Sequence, residues 1–141
     1  MPRIGIITCS NCTGELNCAS TVCLGDMRKR KGLFERYGNS EVVLLGIVSC
    51  AGCPTVAAPE KILRRVKALA DRKADAIHLS YCMTAVCPFL HKYIEVIRSA
   101  YPKMELIEGT HQPPDKAKFR EGVKELLCAG RRDMTDYILG K

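Results

Sequence analysis

Hydrophobic residues along the chain fall into four short continuous runs, separated by longer amphipathic segments. The runs cover residues 4–8, 42–48, 76–79 and 104–107 and are rich in β-branched side chains. Runs of this length and composition are typical of strands that are buried on both faces of a sheet. We therefore predict four buried strands at these positions.

The segments between the runs repeat their apolar positions with helical spacing. The clearest covers residues 59–72, where Ile62, Val66 and Leu69 fall on one face and basic residues on the other. Pro59 suits the first turn of a helix. Similar helices are predicted at 22–37, 89–100 and 115–127.

The alternation of strands and helices predicts an α/β fold, because right-handed crossovers between parallel strands place helices on both faces of the sheet. The chain has 141 residues, so we predict a single domain over 1–141, with residues 131–141 as a short C-terminal appendage. A mainly parallel four-stranded sheet in the order 2-1-3-4 would be flavodoxin-like or Rossmann-like. The sequence leaves that order open.

Nine cysteines are unusual for a chain of otherwise ordinary apolar and charged content. A domain of this size buries enough apolar surface without disulfides, so the cysteines indicate chemistry. The start of the chain leads into a cysteine loop with no long apolar signal segment, and no span is long enough for a membrane helix. We expect a cytoplasmic setting, where clustered cysteines bind metals or exchange electrons more often than they form disulfides.

The net charge of +7 raises the question of a nucleic-acid partner. The densest basic run is 28–31, but most of the excess charge lies on the polar faces of predicted helices. Few aromatic side chains are present to stack on bases. The pattern therefore favours a solvated basic surface over a nucleic-acid interface, and it indicates neither a redox partner, nor a substrate, nor an oligomeric state.

Candidate ligands follow the predicted strands directly. Cys9, Cys50 and Cys82 come after the first, second and third strands, and His111 closely follows the fourth. The carboxyl ends of parallel strands form the ligand-binding edge of an open α/β sheet, and adjacent strands lie about 4.8 Å apart. We expect thiolates from neighbouring strands to reach one metal centre at this edge.

Each of the three cysteines also has a cysteine companion: Cys12, Cys53 and Cys87, respectively. Two-residue spacing, as between Cys50 and Cys53, lets both sulfur atoms bind one tetrahedral centre, and the same spacing serves iron–sulfur clusters. The predicted metal ligands are Cys9, Cys50, Cys53, Cys82, Cys87 and His111, with Cys18 and Cys23 as further candidates.

Packing competes with ligation for several cysteines, since this residue is often buried as a small hydrophobic side chain. For Cys12, Cys18 and Cys23 the two interpretations are evenly balanced. Cys128 lies in an apolar helical stretch and is predicted to pack. His78 falls within the third apolar run and is predicted to be a core histidine.

The sequence resembles the CGGC-domain family over residues 3–111. The shared features are the strand that leads to Cys9, the pair Cys18 and Cys23, the segments 32–37, 50–54, 74–77 and 108–111, and the pair Cys87 and Pro88. Members of this family are small prokaryotic proteins regarded as metal binders because of their many cysteines and histidines. The resemblance implies metal binding and transfers no activity.

Two positions depart from the family pattern. Ala51 stands where the motif has its first glycine, whereas Gly52 keeps the freedom needed for a tight turn. Phe89 follows Pro88 where members often have histidine, so the nearest histidine on that helix is His91.

Two classes of function are consistent with these cysteines. A third, an interaction module that uses the basic face, rests on charge alone, and whether the protein is an enzyme is left open. In the first, the cysteines hold an iron–sulfur cluster, which we favour, or zinc, with a redox or electron-transfer role. More than four candidate thiolates exceed the needs of a closed zinc site, although an open zinc site with two cysteines and His111 is a close rival. In the second, Cys50 and Cys53 are the dithiol of a metal-free oxidoreductase, which leaves the other cysteines without a role.

Overall fold

The structure is a computed structural model that describes residues 1–53, 56–128, 135 and 138–140. Its strands are β1 (Arg3–Thr8), β2 (Val43–Ser49), β3 (Ala76–Leu79) and β4 (Glu105–Glu108). Its α-helices are α1 (Thr21–Lys29), α2 (Ala58–Ala70), α3 (Tyr81–Val86), α4 (Leu90–Ala100) and α5 (Lys116–Cys128). A π-helical turn (Asn11–Glu15) follows β1, and a 3₁₀ helix (Gly32–Tyr37) precedes β2.

The strands form one parallel sheet in the order β2-β1-β3-β4, which confirms the predicted α/β class. From β1 the chain first adds β2 on one side and then returns to add β3 on the other side. The direction of winding therefore reverses between β1 and β3. In sheets of this kind a crevice opens at the carboxyl ends of the two strands where the winding reverses.

Alternate side chains of each strand contact different layers of helix, as the period of two requires. Ile7, Ile77 and Leu79 belong to a core with apolar residues of α2 and α4. Ile4 and Ile6 belong to a second core on the opposite face, with residues of α1 and the 3₁₀ helix. The predicted helices on both faces of the sheet are therefore present.

The predicted helix at 22–37 is wrong in the middle, because it is two helices with a break between them. Arg30 has a left-handed backbone, and its amide donates to the carbonyls of Asp26 and Met27 to close α1. Gly32 has φ of +58°, and a Cβ there would lie 2.6 Å from the carbonyl oxygen of Thr110. A glycine is required at this contact because a side chain would meet the backbone of another segment.

Two predictions concern parts of the chain outside the described residues. One is the packing of the Cys128 side chain, and the other is the appendage at 131–141, most of which is not described. Pro54 also lies outside the described residues. Among the residues that the structure describes, no helix has both the length and the apolar character needed to cross a membrane.

Candidate thiol site

The cysteines after β1 and β2 are placed at one edge of the sheet by the strand register. Thr8 is aligned with Ser49, so Cys9 and Cys50 are the next residues of neighbouring strands. The Cys50 amide donates to the Thr8 carbonyl at 2.8 Å, which continues the pairing by one residue. The thiol of Cys50 in turn accepts from the Ser10 amide at 3.4 Å.

Cys82 reaches the same edge from the other side of β1. The Ser80 amide donates to the Ile7 carbonyl at 2.8 Å, which extends the pairing of β3 with β1, and α3 begins at Tyr81. Cys82 therefore lies in the first turn of α3, beside the end of β1. Sequence analysis did not predict this six-residue helix.

The π-helical turn brings Cys12 to this position as well. The Leu16 amide donates to the Asn11 carbonyl at 3.2 Å, and the Cys18 amide donates to the Cys12 carbonyl at 2.9 Å. Single turns of this kind are frequent at functional sites. The turn directs Cys12 into the core, where only 5% of its surface is exposed.

The thiols of Cys9, Cys12 and Cys82 lie close enough to shift one another's pKa, and they form what we call the thiol triad. Hydrogen bonds from Cys12 and then Cys9, with a third from the Ser80 hydroxyl at 2.9 Å, hold the pKa of Cys82 far below that of an ordinary thiol. The hydrogen bond with Cys82 and burial raise the pKa of Cys12. The three thiols are therefore coupled electrostatically, and Cys82 is the one whose thiolate form is favoured.

A second group of thiols lies beside the triad. Burial and the charge of Cys50 raise the pKa of Cys53, and a hydrogen bond with the Cys87 thiol offsets part of that effect. Burial raises the pKa of Cys87 to about 11, and the charges of Cys53, Cys50 and Cys9 contribute to it. The three side chains of this group are close enough to influence one another, although Cys53 is largely exposed.

Cys23 and His111 form a separate contact at the start of α1. The Cys23 thiol lies 3.2 Å from the Thr110 hydroxyl and 3.5 Å from Nδ1 of His111. Burial raises the pKa of Cys23, and the hydrogen bond with Thr110 lowers it in part. Cys18 is exposed in the loop before α1. These contacts join residues from distant parts of the sequence, so no local pattern could have indicated them.

A cavity of about 240 Å³ separates the triad from this contact. Cys12 and Cys82 line it on one side, Cys23 and His111 on another, and apolar side chains of α5 close it. The rings of His111 and Phe119 meet edge to face, with centroids 6.2 Å apart. The cavity is therefore both apolar and rich in sulfur.

His78 is a core histidine, as predicted. It is fully buried, its Nδ1 lies 2.8 Å from the Gly109 carbonyl, and its Nε2 lies 2.8 Å from the Tyr37 hydroxyl. Burial lowers its pKa to about 4. Both nitrogens have partners, so the ring has no free position for a metal.

The residues predicted as ligands thus divide into the triad members Cys9 and Cys82, the group of Cys50, Cys53 and Cys87, the outer contact of Cys23 and His111, and the exposed Cys18. Cys12, whose role was evenly balanced in the sequence, is a full member of the triad. Within the described ranges, no three or more Cys, His, Asp or Glu side chains are arranged so that they could hold a metal ion as they stand. Hydrogen bonding among the thiols brings the donors together without directing them at one point.

The fold and this edge together define a doubly wound α/β domain with thiol groups at its topological switch point. The chain matches the family model of the CGGC domain over residues 3–111, which is more than half of its length. It therefore belongs to the CGGC-domain family. No curated protein and no solved structure matches the chain.

Proposed function

We propose that this chain binds a soft metal centre through the thiols at the carboxyl edge of its sheet, with an iron–sulfur cluster as the leading occupant and zinc as the rival. The observation that carries the proposal is the thiol triad, because strand pairing places Cys9 and Cys82 beside each other at this edge and the π-helical turn adds Cys12. A metal ion would replace the thiol protons, because the thiolate is the form of cysteine that binds metals.

The choice of metal rests on the kind and number of donors. Thiolates prefer iron–sulfur clusters, zinc and copper(I) over hard cations. Three further thiols, those of Cys50, Cys53 and Cys87, lie next to the triad. More than four thiols in one region favour a cluster over a structural zinc site, which usually has four ligands in a compact arrangement.

Binding requires the thiols to move, since the described Cys and His side chains do not converge on one point. The residues fit the metal in donor type and in position, and rotation of side chains would complete the geometry. Cys53 is largely exposed and can rotate freely into the group. Cys23 and His111 are proposed as outer members that adjust the site, with His111 as the ligand in the zinc alternative.

A metal-free dithiol oxidoreductase is the second candidate, and the structure gives it a different centre from the one that the sequence indicated. The lowered pKa belongs to Cys82, which lies beside two other thiols, whereas the pKa of Cys53 is raised. A thiolate of this kind could attack a disulfide, and Cys12 could then displace the product. A redox partner or a small substrate in a reducing cytoplasm would suit either candidate.

The deciding experiment is anaerobic purification followed by metal analysis, sulfide analysis and a visible absorption spectrum. Iron with acid-labile sulfide and a brown colour supports the cluster, whereas a colourless zinc protein supports the rival. A metal-free protein with a titratable disulfide supports the oxidoreductase and contradicts the proposal.

The ligands are tested by single serine variants. Cys82→Ser, Cys50→Ser and Cys53→Ser should lose most of the bound metal, because each removes a thiolate that serine does not replace. Cys128→Ser is the matched control and should retain it. Equal loss in all four variants would indicate unfolding and would count against specific ligation.

A further inference from the structure

The cavity beside the triad has walls unlike those of a site for a bare ion. The described residues that line it include no Asp, Glu, Lys or Arg. Apolar side chains close it from three segments: Leu16 after the π-helical turn, Val22 in α1, and Phe119 and Val123 in α5. The lining also includes four cysteines, His111 and five Ser or Thr side chains. The thiols suit a soft centre and not a hard hydrated cation, and the apolar side chains remove a hydrocarbon group from water.

The cavity is large enough for an organic group. An apolar cavity of about 150 Å³ can bind benzene. The cavity here measures about 240 Å³, which exceeds that size. Val22 is 56% exposed and Cys18 is exposed, so the cavity opens toward solvent on this side.

Two neighbouring thiols line the same cavity. Cys12 and Cys82 both belong to the lining, and each shifts the pKa of the other. Two adjacent thiols can bind one soft centre as a chelate, and the apolar walls lie beyond them. The combination selects a ligand that has a soft centre at one end and a small hydrocarbon group at the other.

We propose that the cavity binds organometalloid or organometallic compounds, with the soft centre held by Cys12 and Cys82 and the hydrocarbon group between Val22 and Phe119. This inference rests on the proposed metal-binding function and names a ligand class for the same thiols. A trivalent aryl arsenical is the simplest member of that class.

The bonding step balances without an oxidant or a reductant. When an aryl arsenic(III) oxide reacts with the Cys12 thiol and the Cys82 thiolate, two sulfur–arsenic bonds form, and one S–H bond and the arsenic–oxygen double bond break. The oxygen leaves as water with the Cys12 proton and one proton from solvent, and arsenic stays trivalent. The carbon–arsenic bond remains intact, so the aryl group is still attached to arsenic when it enters the cavity.

The test compares phenylarsine oxide with methylarsonous acid, which present the same trivalent arsenic to two thiols but differ in the organic group. Their affinity ratio is measured on the reduced full chain and divided by the ratio for free dithiothreitol, which has no cavity. We expect phenyl to be favoured by about 30-fold or more, because its ring removes roughly 100 Å² more apolar surface from water.

Two variants fill the cavity from different walls: Val22→Trp at its mouth and Val123→Phe on α5. In each, the preference for phenyl should fall to about 3-fold or less while binding of the methyl compound persists. Leu126→Trp is the matched control, since Leu126 is exposed on α5 and does not line the cavity. Cys12→Ser should lose chelation of both compounds. Circular dichroism identifies any variant that is unfolded.

The outcomes separate this inference from the proposed function. The ligand class would be overturned if the normalised phenyl-to-methyl affinity ratio of the parent were near one. It would also be overturned if this ratio were unchanged in both folded cavity variants. If the parent then still binds zinc or assembles a cluster, the metal-binding proposal stands without it. If the parent chelates neither the arsenicals nor any metal, both proposals are wrong.

Discussion

Two groups of buried reactive side chains lie in or beside β3, one on a face of the sheet and one at its carboxyl edge, and they are held in different ways. On the face, His78 stacks on Phe34 with ring centroids 4.5 Å apart, and both of its nitrogens have partners. At the edge, Cys82 lies beside Cys9 and Cys12, which lower its pKa, and it borders a cavity. Burial is common to the two groups, so burial alone does not distinguish a side chain with a structural role from one with a chemical role.

The difference lies in how completely each polar group is satisfied. His78 has fixed partners from the 3₁₀ helix and from the loop after β4, and it is closed off from solvent. The triad has neighbouring thiols that shift one another's pKa and a cavity beside it. A buried group that is fully bonded stabilises one conformation, whereas a group of neighbouring thiols can exchange protons for a metal.

The largest effect is expected from Phe34→Ala, which removes a fully buried ring that packs on His78. Deletions of this kind cost about 3–5 kcal/mol of unfolding free energy. Chemical denaturation measures the loss. Phe89→Ala is the control, since Phe89 is 42% exposed and should cost much less. Equal losses would mean that the His78 face is not a tightly packed core.

The next largest effect is a dependence of the unfolding free energy on pH, which His78 causes. Its pKa of about 4 in the folded state lies below the value of about 6.5 for an unfolded histidine, so only the neutral ring is favoured by folding. The contribution of His78 to the unfolding free energy is complete above pH 6.5 and is lost as the pH falls toward 4. The total loss is about 3 kcal/mol. Arg36 acts in the same direction, because its charge also lowers the pKa.

The measurement is the unfolding free energy between pH 4 and 7.5. His78→Gln should flatten this part of the profile, whereas His91→Gln should leave it unchanged because His91 is exposed on α4. A titration of the His78 ring near pH 6.5, seen by NMR, would contradict the expectation and would remove the contrast between the two groups.

The smallest effect is expected from Ser80→Ala in the metal-free, reduced chain. The Ser80 hydroxyl lies 2.9 Å from the Cys82 sulfur and helps to keep the pKa of that thiol low. Its removal should raise the pKa by up to about one unit, which is about 1.4 kcal/mol. Alkylation of Cys82 by iodoacetamide at low pH, followed by mass spectrometry, should slow accordingly.

Thr84→Ala provides the comparison, because the Thr84 hydroxyl donates to the Tyr81 carbonyl within the same helix and not to a thiol. If both variants alkylate at the parent rate at every pH, the charge on Cys82 does not depend on Ser80.

Strands and long helices could be predicted because their signals are local. The apolar runs identify all four strands to within one residue at each end, and Ala76–Leu79 is predicted without error. Periodicity also identified the helices α2, α4 and α5. Each of these elements has an apolar face long enough to produce a pattern in the sequence.

The membership of the triad could not be predicted in full, because it depends on short or irregular elements. Cys12 reaches Cys82 through a π-helical turn of five residues, and Cys82 lies on a helix of six residues. Segments this short have no resolved period. The contact between Cys23 and His111 joins residues 88 positions apart, and only the packing of α1 against the loop after β4 creates it.

The close approach of Gly32 to Thr110 and His111 links the start of the 3₁₀ helix to the lining of the cavity. The Thr110 carbonyl accepts from the Leu33 amide at 3.0 Å, while its hydroxyl contacts Cys23 and the Tyr81 amide. The next residue is His111. A side chain at position 32 would push on the segment that orients all of these groups, whereas a Cβ at Gly14, Gly25 or Gly122 would meet no atom within 4 Å. Sequence drift is therefore tolerated at those three glycines, and position 32, although it holds no reactive group, is as constrained as the site itself.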